Sequence, residues 1–218
     1  MSDGTLRESP LARFAAAARA TSPVANAGII SAEKAFLGHI NLRGRVDDPH
    51  FAHAVASVIG ANVPEKPNTV RQGTDNTAYW LGPDEWLIIT PGEQEAAVAR
   101  DLRTALSGCI AAVTEVSGGQ TVIALGGKSV RDLLAKGCPL DLHPRAFDVG
   151  RCAQSRLAKA PILIRQVDTI PSFEIIVRRS FASYLWCWLL DAAAEFGHHI
   201  ETFGETSKAR NTAAQQKK

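Results

Sequence analysis

Paired cysteines are missing from this chain. Its four cysteines, Cys109, Cys138, Cys152 and Cys187, form no C-x-x-C pair. Their spacing fits neither a zinc ribbon nor a small disulfide framework. Lone thiols in a chain of 218 residues read as a reducing compartment, so a cytoplasmic location is expected. An excess of one charge is also missing. Lys and Arg number 24 against 22 Asp and Glu, which disfavours a strongly basic nucleic-acid binder. Residues 201–218 carry four basic and two acidic groups, leaving residues 1–200 formally neutral. The most apolar stretch, Ala182 to Ala194, holds 13 residues and includes Asp191, whereas a membrane span needs about 20. No nucleic acid and no membrane are expected as partners. Arg13 and Arg19 break the Ala-rich stretch Leu11 to Ala20, so no secretory signal is read there.

Complete chemical motifs are absent too. No G-x-G-x-x-G follows an expected strand. Gly126-Gly127-Lys128-Ser129 has the end of a P-loop, but Val122 stands where its first glycine is required. It reads as a tight strand-to-helix turn. His50 and His53 lie three apart on an expected helix without further ligands, so no metal site follows. His143 reads as a loop residue, and His198 and His199 as a helix exit. Asp84 and Glu85 are acids in a turn, where such residues are common for conformational reasons. Trp80, Trp86, Trp186 and Trp188 are too dispersed to form a base-stacking platform. No catalytic, cofactor-binding or metal-binding residue is assigned.

What is present is an ordinary globular composition, 45% hydrophobic and 21% charged, ample for a real core. Alternation predicts strands over 35–43, 77–80, 85–90, 111–116, 120–125, 151–159, 161–167 and 172–178. Residues 111–116 and 120–125, joined by Ser117-Gly118-Gly119, read as a hairpin. Helical spacing predicts helices from Pro49 to Ile59, from Gly92 to Leu106, through Leu134, and from Ser180 to about Phe196. In the last of these, Phe181, Leu185, Trp188, Leu189, Ala192 and Phe196 form the expected buried stripe. Trp186 is then expected at an interface. Hairpins mixed with helices argue for α+β with antiparallel sheets. The expected organisation is an N-terminal arm (1–30) docking on a partner, a first α+β unit (31–108), a second (109–200) and a disordered tail (201–218). Both units are expected to be ferredoxin-like.

Five ordered segments resemble the gamma subunit of heterotetrameric sarcosine oxidase. They are Arg7 to Leu11, Leu81 to Leu87, Lys136 to Pro144, Gly150 to Ala160 and Arg179 to Trp186. The resemblance implies a structural, non-catalytic subunit, with no cofactor on this chain. The complex would contain alpha, beta and delta subunits, carrying FAD, FMN, NAD and zinc. It would oxidise sarcosine with oxygen to glycine, hydrogen peroxide, and formaldehyde or methylene-tetrahydrofolate. The family's fold is similar to the folate-binding aminomethyltransferase superfamily. The alternative implied by that superfamily is a stand-alone folate-dependent one-carbon protein. A related family carries K-G-C-Y-x-G-Q-E. Lys136-Gly137-Cys138 matches its start, but Pro139 replaces Tyr and no Gly-Gln-Glu follows, so no folate-binding residue carries over.

Overall fold

The computed structural model describes residues 7–14 and 26–201. The rest of the Ala-rich stretch and the tail from residue 202 lie outside the described residues. The strands are β1 (Ile29–Lys34), β2 (Gly38–Arg43), β3 (Val70–Gln72), β4 (Thr77–Gly82), β5 (Glu85–Thr90), β6 (Ala112–Glu115), β7 (Gln120–Gly126), β8 (Cys152–Leu157), β9 (Ala160–Asp168), β10 (Ser172–Arg178) and β11 (His198–Ile200). The helices are α1 (Pro49–Ile59), α2 (Glu95–Ala105), α3 (Val130–Ala135) and α4 (Arg179–Ala193). None of them is long and apolar enough to cross a membrane. Helix α1 shows how locally its ends are determined. The Asp48 carboxylate accepts from the His50 amide at 2.9 Å, Pro49 opens the helix, and Gly60 closes it at φ 78°.

Two sheets form, with strand orders β3-β4-β5-β2-β6 and β11-β1-β7-β10-β9-β8. Every pairing is antiparallel except β1 with β11. The period-two alternation of each strand sorts its side chains into two cores. In β5, Trp86 and Ile88 pack with α1 and α2, while Leu87 and Ile89 face the other sheet. In β10, Phe173, Ile175 and Val177 pack toward α4, and Ile176 faces inward. The result is four layers: helices, sheet, sheet, helices.

The first sheet runs β2-α1-β4-β5-α2-β6 with spatial order β4-β5-β2-β6. That is the ferredoxin-like βαββαβ arrangement, with β3 added at one edge. The second sheet repeats it as β7-α3-β9-β10-α4, with β8 added at the same relative edge. Its fourth-strand place is taken by β1, from the start of the chain, and β11 lies outside β1.

This exchange corrects several expectations. Residues 35–43 are not one strand: Phe36 sits at φ 61°, and the turn there sends β1 and β2 into different sheets. Residues 111–125 are not a hairpin, since β6 pairs with β2 and β7 pairs with β1 and β10. Ser117–Gly119 is a short 3-10 turn that crosses between the sheets. A boundary near residue 108 therefore cuts across both sheets instead of falling between them. β1 precedes it and belongs to the second sheet; β6 follows it and belongs to the first.

The described part of the arm docks on its own chain. Leu11 is fully buried in the core beneath α4, and Phe14 lies 6.4 Å from the Trp186 ring. That cover makes Trp186 buried at 1% exposure, while Trp188 is only half-buried, reversing the expected assignment. Trp188 rests instead on Gly137, where an added Cβ would lie 2.7 Å from its ring. His198 and His199 are not a helix exit but part of β11, and the Ser31 hydroxyl sits 2.7 Å from His198 Nε2.

Candidate functional site

The charged groups between the sheets are the first place to look for chemistry. Alternation in β10 turns Glu174 inward with Ile176, and Glu174 is 5% exposed. Arg165 Nε on β9 donates to it at 2.7 Å and Lys34 Nζ on β1 at 2.5 Å. The Tyr79 hydroxyl reaches it from the other sheet at 3.3 Å. The Arg165 guanidinium also lies 5.3 Å from the Tyr79 ring centroid. Burial opposes the charge on Glu174, but Arg165 and Lys34 outweigh it and hold the carboxyl below its ordinary range. Burial, reinforced by the Glu174 charge, pushes the Tyr79 phenol well up against the opposing pull of Arg165. Burial also pushes the neighbouring Cys152 thiol up to about 11. General acid–base work requires a group that titrates near neutral pH. This cluster holds an anion, two cations, and a phenol and a thiol raised above their ordinary ranges, and it ties the two sheets together.

A second set of polar groups fastens the arm. Glu33 accepts from the Thr121 hydroxyl at 2.6 Å and from the Ser9 hydroxyl. Arg7 reaches the buried Glu95 carboxylate at 2.8 Å. His39, 1% exposed, donates from Nδ1 to the Leu37 carbonyl at 3.0 Å, and burial lowers its pKa to about 4. Segment 7–14 thus ties α4, the second sheet and α2 together.

Most of the residues singled out in the sequence have structural roles. Gly127 has φ 110°, and a Cβ there would strike the Gly28 carbonyl, so the glycine serves the turn. Lys136 donates to the Ala192 carbonyl at 2.7 Å, pairs with Glu195 and lies 4.7 Å from the Phe196 ring centroid. It locks the end of α3 to the end of α4. Trp86 donates to the Pro64 carbonyl at 2.8 Å and packs on Phe51. Glu85 accepts from Asn41 and Arg43, each at 2.7 Å, while the Asp84 carbonyl accepts from the Gly44 amide. His143 accepts from the Arg145 amide within its loop. His50 Nδ1 lies 2.9 Å from Cys109 Sγ, and His53 does not join them. Among the described residues, no group of three or more His, Cys, Asp or Glu could hold a metal ion. All four cysteines are free thiols.

The inward-facing titratable groups Glu33, His39, Glu95, Arg165 and Glu174 escaped the sequence reading. Glu174 did leave a signal there, as a lone acid within the apolar run Phe173 to Val177. A cleft of about 770 Å³ lies where the two sheets open at one end. Leu81, Leu87, Leu163 and Ile176 floor it, and Glu115, Gln120, Gln154 and Arg178 stand around it.

Residues 43–195 match the model of the sarcosine oxidase, gamma subunit family. The chain is 35% identical over 201 residues to the sarcosine oxidase subunit gamma of Corynebacterium sp. strain P-1, covering 90% of this chain and 97% of that one. The protein of the same name from Corynebacterium sp. strain U-96 is 35% identical over 198 residues, covering 90% and 95%. The chain belongs to the sarcosine oxidase gamma subunit family. Its fold matches a chain of the heterotetrameric sarcosine oxidase of Corynebacterium sp. U-96, solved with pyrrole 2-carboxylate. The TM-score is 0.78 at 31% identity, over 92% of this chain and 99% of that chain. The gamma-subunit fold is also that of aminomethyltransferase T of the glycine cleavage system from Bartonella henselae. There the TM-score is 0.63 at 14% identity, over 89% of this chain but 58% of the other. That likeness is one of fold, not of chemistry.

Proposed function

We propose that this chain is the gamma subunit of a heterotetrameric sarcosine oxidase, a non-catalytic component of an oxidoreductase. The observation that carries the reading is the match along nearly the full length of both chains to gamma subunits of that enzyme. Two further features support it. The five segments of resemblance are largely accounted for by contacts within the chain: the arm clasp, the β4–β5 turn, the Lys136 lock and the buried Cys152. The buried charged cluster is engaged in ties within and between the two sheets.

On this reading the partners are alpha, beta and delta subunits, which would carry FAD, FMN, NAD and zinc. The substrate would be oxidised on a neighbouring chain. A cytoplasmic location accords with the free thiols. Residues 31–108 and 109–200 would approximate two units that exchange their outer strands.

Co-expression of all four chains, with and without this one, is the test. Loss of assembly or of sarcosine-dependent peroxide production on omission supports the proposal. Unchanged assembly and activity overturn it. Calorimetry of the isolated chain with tetrahydrofolate tests the stand-alone one-carbon alternative, which requires binding at micromolar concentration or tighter.

A further inference from the structure

The cleft at the open end of the sandwich does not stop at the sheets. It shares Gly118, Gly119 and Arg178 with a shallower basin of about 570 Å³ lined also by Pro10, Arg179 and Ser180. Together they make one trough. It begins over the apolar floor of Leu81, Leu87, Leu163 and Ile176, crosses the Gly118-Gly119 turn, and ends at the start of α4.

The two ends of the trough differ in charge. Glu85, on one wall, is paired with Arg43 and accepts a hydrogen bond from Asn41. Glu115 stands on the same sheet at the inner end. At the outer end Arg178 and Arg179 are exposed, and neither has an ion-pair partner among the described residues. No acidic residue stands in the first turn of α4 to offset them.

We propose that this trough is a docking groove for an extended, acidic segment of a partner subunit. This rests on the reading of the chain as one subunit of a complex. A carboxylate of that segment sits between Arg178 and Arg179, where guanidinium forks favour planar anions. Apolar side chains behind it cover the floor between the sheets. The apolar floor of Leu81, Leu87, Leu163 and Ile176 beside the arginines fits a polypeptide rather than a compact anion. Gly118 and Gly119 have open space where a Cβ would project, so the chain passes over bare backbone at the crossing.

That open space supplies a steric test. Gly118→Trp and Gly119→Trp place a ring at positions where a Cβ meets nothing within 4 Å, while Arg178→Glu with Arg179→Glu reverses the charge. Arg178→Lys with Arg179→Lys is the conservative control. Each variant is co-expressed with the other three chains, and retention in the purified complex is measured beside its thermal midpoint alone. The expected result is an unchanged midpoint with retention weakened roughly tenfold or more by the plug and by charge reversal, and largely kept by the lysine pair. A photoreactive phenylalanine at position 119 should crosslink to an Asp- or Glu-containing peptide of a partner. Assembly at the wild-type level in the plugged and reversed variants overturns the inference. So does a crosslink to this chain's own residues 1–6, or displacement of the effect by inorganic phosphate. Failure of the wild-type chain to join any complex would instead sink the subunit reading itself.

Discussion

At the scale of single residues, the buried charges decide how the protein answers to pH. Burial leaves His39 neutral in the fold at about 4, while an unfolded histidine titrates near 6.5. Between those values the unfolded chain binds the extra proton. The contribution is therefore whole above pH ~6.5 and is lost as the pH falls toward ~4, by roughly 3 kcal/mol. Chemical denaturation from pH 7 to 4 should show this slope in the wild type, and His39→Gln should remove it. Glu174 acts lower down. Its carboxyl is held below the ordinary range, so its stabilisation is present above the unfolded value and disappears as the pH falls through the folded one. Glu174→Ala leaves Arg165 buried without its counter-charge and should cost about 3 kcal/mol or more at pH 7. An urea midpoint unchanged from wild type would contradict that role.

At the scale of elements, the turn at Gly126-Gly127-Lys128-Ser129 separates backbone need from chemistry. Gly127 combines a positive φ with the Gly28 carbonyl pressed against its missing side chain. Gly127→Ala should destabilise by about 1–3 kcal/mol, since backbone must move to admit the methyl. Lys128 is exposed and makes no described contact, so Lys128→Ala should stay within about 0.5 kcal/mol of wild type. A phosphate-binding loop would give the opposite functional ranking, with the lysine indispensable. Paired thermal melts of the two variants check the structural half of this statement. Helix α4 carries a related lesson. Its 3.6-residue pattern allows either tryptophan to face inward, and the docked arm over Trp186 and the glycine under Trp188 decide the matter.

At the scale of the whole molecule, strand exchange makes the two halves interdependent. Residues 1–108 would lose β6 from one edge of their sheet and would expose β1 with nothing to pair. Residues 109–218 would leave β7 without β1 on one side. The arm adds a further tie through Leu11, Ser9 and Arg7. Neither half expressed alone should show a cooperative melt, whereas the intact chain should unfold in one transition monitored by tryptophan fluorescence and circular dichroism alike. Two separate transitions in the intact chain would refute this.

Composition and local pattern were enough to determine the α+β class, the ferredoxin-like content and most element ranges. The reason is that alternation, helix caps and turn residues act over a few positions. The ends of α1 were legible from Asp48, Pro49 and Gly60, and β10 from its run of apolar residues around Glu174. The resemblance to gamma subunits was legible too. Only the tertiary structure decided which strands share a sheet. Residues 111–116 and 120–125 carry a hairpin's local signals, yet burial of Val122, Ile123 and Leu125 on both faces of β7 requires neighbours far along the chain. It also decided which charges are buried and which tryptophan is covered. Sequence spacing does not reveal that Glu33 meets Thr121, because that pair forms only when β1 and β7 become neighbours, or that Glu174 meets Tyr79, because that pair forms only when two sheets close face to face.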